Sequence, residues 1–304
     1  MKKLIISADD FGYSESVNQA IILAHREGIL TSASLMVTGE ALESAIQLAK
    51  ENPRLAVGLH LVLICGKSVL PHSEIPDLVN TDKNFSNSPT LAGMQYYFDG
   101  NSRVQLEMEI KAQFQKFKET GLICVYVDSH LHMHINPTIL DILLRVGKEF
   151  GVTAIRIPAD DLALALQFDK SHYISKRTHH LIFNRLSWQA KQKAKSVGFR
   201  FTDKVYGLYQ TGDMNSSYTE HLLRHLSEGI SEIYYHPDFN SWYDFNQKTG
   251  DSSENDLHLA SSLIKREEGK GCNMPNTELK ALLDPQIKQF ITQNGIDLIT
   301  YKDL

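Results

Sequence analysis

The chain's 304 residues, 42% of them hydrophobic, suit one large domain with an ample core. Its 31 basic and 36 acidic residues leave a net charge of −5, which removes the basic footprint of a nucleic-acid binder. Three scattered cysteines, Cys65, Cys124 and Cys272, exclude a disulfide framework or a zinc ribbon, no apolar run approaches the ~18 residues of a membrane span, and no signal peptide precedes the first strand, so a cytoplasmic setting is expected.

Leu4-Ile5-Ile6 reads as a buried strand running into Asp9-Asp10-Phe11-Gly12. Two adjacent carboxylates are either a site or a solvated turn with a helix cap. In an apolar setting they need a cation or a hydrogen-bonded partner. Ser16-Val17-Asn18-Gln19 reads as a capping box, followed by an apolar helix face of Val17, Ala20, Ile21 and Ala24, with Gly28 past the helix end. A short strand at Ser34 to Val37, a helix near 40–51 and a strand from Ala56 to Leu63, carrying His60, follow.

Residues 66–102 break the rhythm with Pro71, Pro76, Pro89 and the cluster Tyr96-Tyr97-Phe98. They form an irregular insertion, read as a lid or binding loop, or equally as a surface excursion over a small aromatic core. Val104 to Thr120 is a helix with Val104, Met108, Phe114 and Phe117 among its apolar positions. Leu122 to Val127 is a strand leading into Asp128-Ser129-His130-Leu131-His132-Met133-His134, and Asn136-Pro137 opens a helix running to about Phe150.

The strand Thr153 to Pro158 contains Arg156. A helix near 178–197, a strand at Arg200 to Thr202, a helix at 218–227 and a strand from Glu232 into His236-Pro237 come next. Residues 240–275 are polar and show no pattern, and a helix near 285–294 and a strand from Asp297 to Tyr301 close the chain. Strands and helices alternate without a linker or repeat. The expected fold is α/β: a single domain over 1–304, with about seven parallel strands in a closed or nearly closed (β/α) barrel.

In such barrels the site gathers at the C-terminal strand ends. There this sequence places Asp9-Asp10, His60, Asp128-Ser129-His130, Arg156 and His236. A lone histidine in an apolar strand, such as His60, is more often a core residue. Of the three closely spaced histidines, His130 lies nearest its strand and reads as a metal ligand. Asp128, His132 and His134 read as groups that support the site or its turn. Imidazole and carboxylate together suit zinc and its neighbours, with water completing the shell. Arg156, within Ala-Ile-Arg-Ile-Pro, can hold a carboxylate with two parallel hydrogen bonds.

Four motifs in order carry a resemblance: Ala8-Asp9-Asp10-Phe11-Gly12, Gly58-Leu59-His60-Leu61, Asp128 through His134, and Tyr235-His236-Pro237. They are similar to those of the YdjC-like carbohydrate deacetylase family over nearly the whole chain. Gly28 through Val37, Val57 through Leu63, Ile75 through Val79 and Val152 through Pro158 resemble its hopanoid-biosynthesis-associated branch, which is linked to deacetylation of an N-acetylglucosaminyl hopanoid.

The resemblance implies a deformed seven-stranded barrel and one divalent ion, magnesium or zinc, bound by Asp10, His60 and His130, with Asp9 as base. A homodimer is the family's suggestion. Asp238 after His236-Pro237 and Ile64-Cys65 before Gly66 depart from the pattern, at positions that touch the substrate rim rather than the metal set.

The expected activity is hydrolytic removal of an acetyl group from an N-acetylated amino sugar, in a glycan or a glycolipid, with transient contact at a membrane surface for the latter. Asp9, held by Arg156, would take a proton from water, and His236 would protonate the departing amine. Tyr96, Tyr97 and Phe98 would stack on a sugar or cover a lipid-linked head group. Two rivals are a metal-dependent phosphoesterase and a non-catalytic carbohydrate- or lipid-binding barrel.

Overall fold

Lys2–Phe11 forms the strand (β1) on which the other elements are laid. Leu4, Ile5, Ile6 and Ala8 are fully buried, so both faces of β1 are covered, as an internal parallel strand requires. The computed structural model describes residues 1–239 and 276–304.

Ser32–Leu35 (β2), Ala56–Leu61 (β3), Val127–Ser129 (β4), Lys204–Tyr206 (β5) and Gly229–Tyr235 (β6) join β1 in the order β4-β3-β2-β1-β6-β5. A two-residue strand, Asp297–Leu298 (β7), pairs with the N-terminal part of β1. The pairings among these seven strands are all parallel.

Between β4 and β5 the wall continues through backbone pairs instead of full strands. Val127 N–H donates to Ala154 O, Arg156 N–H to Val127 O, and Ile155 N–H to Arg200 O. At Gly58 the strand and the chain before β4 come so close that a Cβ would stand 2.6 Å from the Tyr126 ring. The product is a single-domain, deformed (β/α) barrel.

The helices around it are Glu15–Arg26 (α1), Leu42–Glu51 (α2), Pro89–Phe98 (α3), Gly100–Glu119 (α4), Pro137–Glu149 (α5), Leu162–Phe168 (α6), Tyr173–Ser196 (α7), Ser216–Arg224 (α8), Thr277–Leu283 (α9) and Pro285–Gln293 (α10).

Several elements differ from the sequence reading. The cap of α1 is Ser14, whose side chain accepts from Val17 N–H, so the helix starts before the expected Ser16 box. The second strand sits two residues early. Residues 153–158 and 200–202 contribute only single bridges. The insertion is irregular only in its first half, because Pro89 follows the capping Ser88 and starts α3 instead of breaking it. In α4, Val104 and Met108 are exposed, while Glu109, Gln113, Phe114 and Phe117 face inward. The polar pair serves the insertion: Gln113 bridges both backbone groups of Val62, and Glu109 accepts from Val69 and Leu70 N–H. Residues 240–275 and Cys272 lie outside the described residues.

Candidate metal centre and its buried charge network

Asp9 and Asp10 lie within β1, not beyond it. They reach different partners because the pairing of β1 with β2 shifts register between Ala8 and Phe11 and Asp10 adopts a left-handed backbone, φ 64°. A bulge of this kind re-aims a side chain that would otherwise follow the strand's alternation. Aspartate tolerates the left-handed region better than most residues, and such conformations concentrate at functional sites.

Asp10 Oδ1 stands 3.3 Å from His60 Nε2 and 3.1 Å from His130 Nδ1. The candidate ligand atoms of Asp10, His60 and His130 all lie within 4.8 Å of one another. His60 is brought there by β3, fully buried. His130 follows β4 at the first position of a tight 3₁₀ turn, His130–Ile135, in which Leu131 and His132 have positive φ.

The other ring nitrogen of His60 is already committed. Nδ1 lies 2.8 Å from Asp128 Oδ1 and 3.0 Å from Ser34 Oγ. With the Nδ1 proton given to Asp128, the Nε2 lone pair points at a carboxylate oxygen, and Nε2 is a buried polar atom with no hydrogen-bond partner among the described residues. This carboxylate–histidine arrangement is how proteins fix a metal-binding imidazole. Burial opposes protonation of His60, yet the surrounding carboxylates, Asp128 foremost, raise its pKa from 6.5 to about 10. The pocket is built for a cation, either a proton or a metal ion. Two nitrogens and one oxygen form a donor set that fits a divalent ion such as zinc.

Asp9 faces a different neighbour. Its Oδ2 accepts from Arg156 Nη1 at 2.7 Å, and its Oδ1 accepts from Ser34 Oγ at 3.2 Å. Arg156 is fully buried and also meets Asp128 at 2.7 Å, Glu232 at 2.9 Å and Ser7 at 2.9 Å, with its guanidinium 5.0 Å from the centre of the Tyr234 ring. Burial alone would push the Asp9 carboxyl up. The charges of Arg156, His60 and His236 overcome it and hold Asp9 near 2, so it is ionised at any working pH.

His236, just beyond β6 and about one-third exposed, places Nε2 3.9 Å from Asp9 Oδ2. His132 and His134 make contacts within the protein. His134 accepts from Ser129 Oγ through Nδ1 (2.7 Å) and donates through Nε2 to Arg156 O (2.8 Å). His132 Nε2 meets the Tyr234 hydroxyl at 3.1 Å.

The aromatic cluster divides. Tyr96 is buried and its hydroxyl donates to Leu63 O, so it cannot line a substrate rim as expected. The Tyr97 and Phe98 rings are exposed and packed edge to face. Ser7, Ser34, Glu232 and Glu278 belong to the network but carried no sequence signal. Ser7 and Glu232 look like ordinary strand residues, and only the alternation that turns every second side chain inward could have singled them out.

Comparison with known proteins follows the same lines. The model of the YdjC-like protein family matches residues 3–293. A carbohydrate deacetylase of Geobacillus stearothermophilus is 30% identical over 301 residues, 98% of this chain and 96% of that one. Carbohydrate deacetylase 2 of Listeria innocua is 28% identical over 305 residues, 99% and 98% of the two chains. A carbohydrate deacetylase of Brevibacillus brevis is 43% identical over a shorter stretch of 156 residues, 51% of this chain and 59% of that one. A solved structure from Enterococcus faecalis V583, provisionally assigned to cellobiose-phosphate cleavage, shares the fold with a TM-score of 0.65 at 24% identity, covering 99% and 98% of the two chains. With a family match over almost its whole length and a 30%-identical relative aligned end to end, the chain belongs to the YdjC-like family.

Proposed function

We propose that this protein is a metal-dependent carbohydrate N-deacetylase that hydrolyses the acetamide of an N-acetylated amino sugar, carried on a glycan or on a hopanoid glycolipid. The observation that carries the metal reading is the buried, partnerless Nε2 of His60 facing Asp10 Oδ1, with His130 Nδ1 on the same oxygen. The names of the full-length relatives support the substrate class.

Asp10, His60 and His130 would hold the ion. A bound divalent cation lowers the pKa of water and polarises a carbonyl. The chain supplies the rest. Asp9, kept ionised and fixed by Arg156 and Ser34, takes the proton of the attacking water. His236, on the other side of Asp9 from Ser34, hands a proton to the leaving nitrogen. Asp128 holds the His60 ring so that Nε2 faces the centre.

Among the described residues the phosphoesterase alternative finds no clamp in Arg156, the fully buried cation at the site, which is turned into Asp9, Asp128 and Glu232. The second possible ligand group, Asp9, His60 and Asp128, shares His60 with the first and already has this guanidinium as its cation. A non-catalytic binding barrel has no need of so many buried carboxylates.

The test is acetate release from N-acetylglucosamine, chito-oligosaccharides and glycosylated hopanoids, with metal titration of two variants. Asp9→Asn is expected to keep its metal and lose about 10²–10⁴-fold in kcat. Asp10→Asn is expected to bind metal weakly and to recover partly when metal is added. Recovery of Asp9→Asn by metal, with Asp10→Asn indifferent to it, would reverse the two roles. Full activity in both would remove the deacetylase reading.

A further inference from the structure

The proposed proton donor, His236, stands between two carboxylates. Nε2 faces Asp9 at 3.9 Å, and Nδ1 faces Glu278 Oε2 at 3.8 Å. Glu278 comes from the first turn of α9, forty-two positions along the chain, and is fully buried. Its carboxylate does not simply fill space. Oε1 accepts from Gly212 N–H at 2.7 Å and Met214 N–H at 3.4 Å, and Oε2 accepts from the His236 N–H at 2.5 Å. Asn276, which caps α9, donates from its side chain to His236 O at 2.8 Å. The backbone of His236 is thus held on both sides by the start of α9.

The ring is held less completely. Nδ1 is buried and has no hydrogen-bond partner among the described residues. A buried ring nitrogen left without a partner is unfavourable, and the carboxylate at 3.8 Å is the acceptor a small ring rotation would bring to it.

We infer that Glu278 is a positioning residue for the amide-hydrolysing reaction, accepting the Nδ1 proton of His236 so that Nε2 carries the proton delivered to the leaving amine. The inference rests on the deacetylase reading above. The two ring nitrogens have distinct tasks, and the partner of one sets the state of the other. Bonding of Nδ1–H to Glu278 fixes the ring plane, directs Nε2 toward Asp9 and the substrate, and stabilises the imidazolium before transfer. In the transfer, the N–H bond at Nε2 breaks as a new N–H bond forms on the amine. The electron pair left on Nε2 makes the ring neutral, and Nδ1–H stays on Glu278.

A structural role alone would make Glu278 matter equally for every substrate. A positioning role makes it matter only where the leaving group needs a proton. The test therefore compares two substrates of one enzyme: an N-acetyl amino sugar, whose amine leaves only when protonated, and 4-nitrophenyl acetate, whose phenolate does not. The ratio of their kcat values is independent of the fraction of folded, active protein, so it remains readable in a destabilised variant.

Glu278→Gln is expected to lower the amide-to-ester ratio about 30- to 100-fold, toward the low end of general-acid contributions, with metal content retained. Glu278→Asp, which keeps the charge but withdraws it by one methylene, should lower the ratio by less. In a His236→Ala background the Glu278→Gln effect on the ratio should vanish, since one acts through the other. Equal losses on both substrates, or an undiminished Glu278→Gln effect without His236, would overturn the inference while leaving the deacetylase reading in place. A wild-type protein that releases acetate from the ester but from no amino sugar would remove both.

Discussion

Replacing Arg156 with Met tests the charge network most directly. The side chain is fully buried and its three nitrogens meet Asp9, Asp128, Glu232 and Ser7 at 2.7–2.9 Å. Methionine fits the apolar part of the space but leaves three carboxylates without their shared cation. Removing one partner of a buried ion pair costs about 3–5 kcal/mol, because the other charge stays behind. Three partners push the expected loss toward the upper figure, a third or more of the ~5–15 kcal/mol that holds a typical domain together.

The pH dependence follows from Asp9. In the wild type its folded pKa, about 2, lies below the ordinary 3.8, so its contribution is complete above pH 3.8 and is lost as pH falls toward 2. In the variant, burial is opposed only by the charges of His60 and His236, so the Asp9 carboxyl is expected to rise from about 2, and its ionisation contributes less stability as pH climbs through the carboxylate range. The gap between the two proteins should therefore widen from pH 4 to pH 7. Urea unfolding followed by circular dichroism at several pH values measures it. A loss under ~1 kcal/mol at pH 7, or a gap of constant size across that range, would refute the account of Arg156 as the shared counter-ion.

Three more outcomes are expected. His60→Ala should abolish stoichiometric divalent-metal binding, read by elemental analysis after desalting, whereas His132→Ala should keep the metal. Tyr97→Ser with Phe98→Ser should raise KM for the amino-sugar substrate at unchanged metal content, while Tyr96→Phe, which loses only the hydrogen bond to Leu63 O, should cost about 1 kcal/mol of stability and leave KM alone. Burial, helped by the Arg156 charge, holds His134 at about 4, against an ordinary 6.5. Its contribution to stability should be complete above pH 6.5 and fade as pH falls toward 4, by up to about 3 kcal/mol; His134→Gln should flatten that part of the melting-temperature profile.

What could be read from the sequence was local. The run Leu4-Ile5-Ile6 ahead of Asp9-Asp10 needs no tertiary knowledge to be recognised as a strand carrying charge to its end. His60, His130, Arg156 and His236 were found because each stands in or just after a strand pattern, which in a parallel barrel is enough to bring them together. What could not be read was set by contacts across the chain. Ser7 and Glu232 meet over 225 positions, and Glu278 reaches His236 from a helix that follows a long polar segment. The insertion misled for another reason. Pro89 reads as a break in the sequence but stands at the first turn of α3, and α4 turns Glu109 and Gln113 inward because the loop backbone at Val62, Val69 and Leu70 needs acceptors and donors there. Hydrophobic pattern alone cannot anticipate a helix whose buried face is partly polar.

The two neighbouring aspartates show how little backbone change separates two chemical roles. On a regular strand, Asp9 and Asp10 would face opposite sides of the sheet, and one would be wasted on the core or its flank. The register shift before Phe11 and the positive φ of Asp10 bring both to the same end of the barrel while keeping them on different partners. Asp9 stays against Arg156, whose charge is shared with Asp128 and Glu232, so its oxygens are satisfied by the protein itself. Asp10 has no share in that guanidinium. It is the more exposed of the two, and its close neighbours are the imidazoles of His60 and His130. Three carboxylates share the single buried arginine and a fourth, Asp10, stands outside that sharing, so the shortfall of positive charge is greatest at Asp10. The proposed divalent ion would answer that shortfall at Asp10 as Arg156 answers it at Asp9. On that proposal the bulge gives each carboxylate its own cation, and any substitution that straightened β1 would be expected to disturb both together.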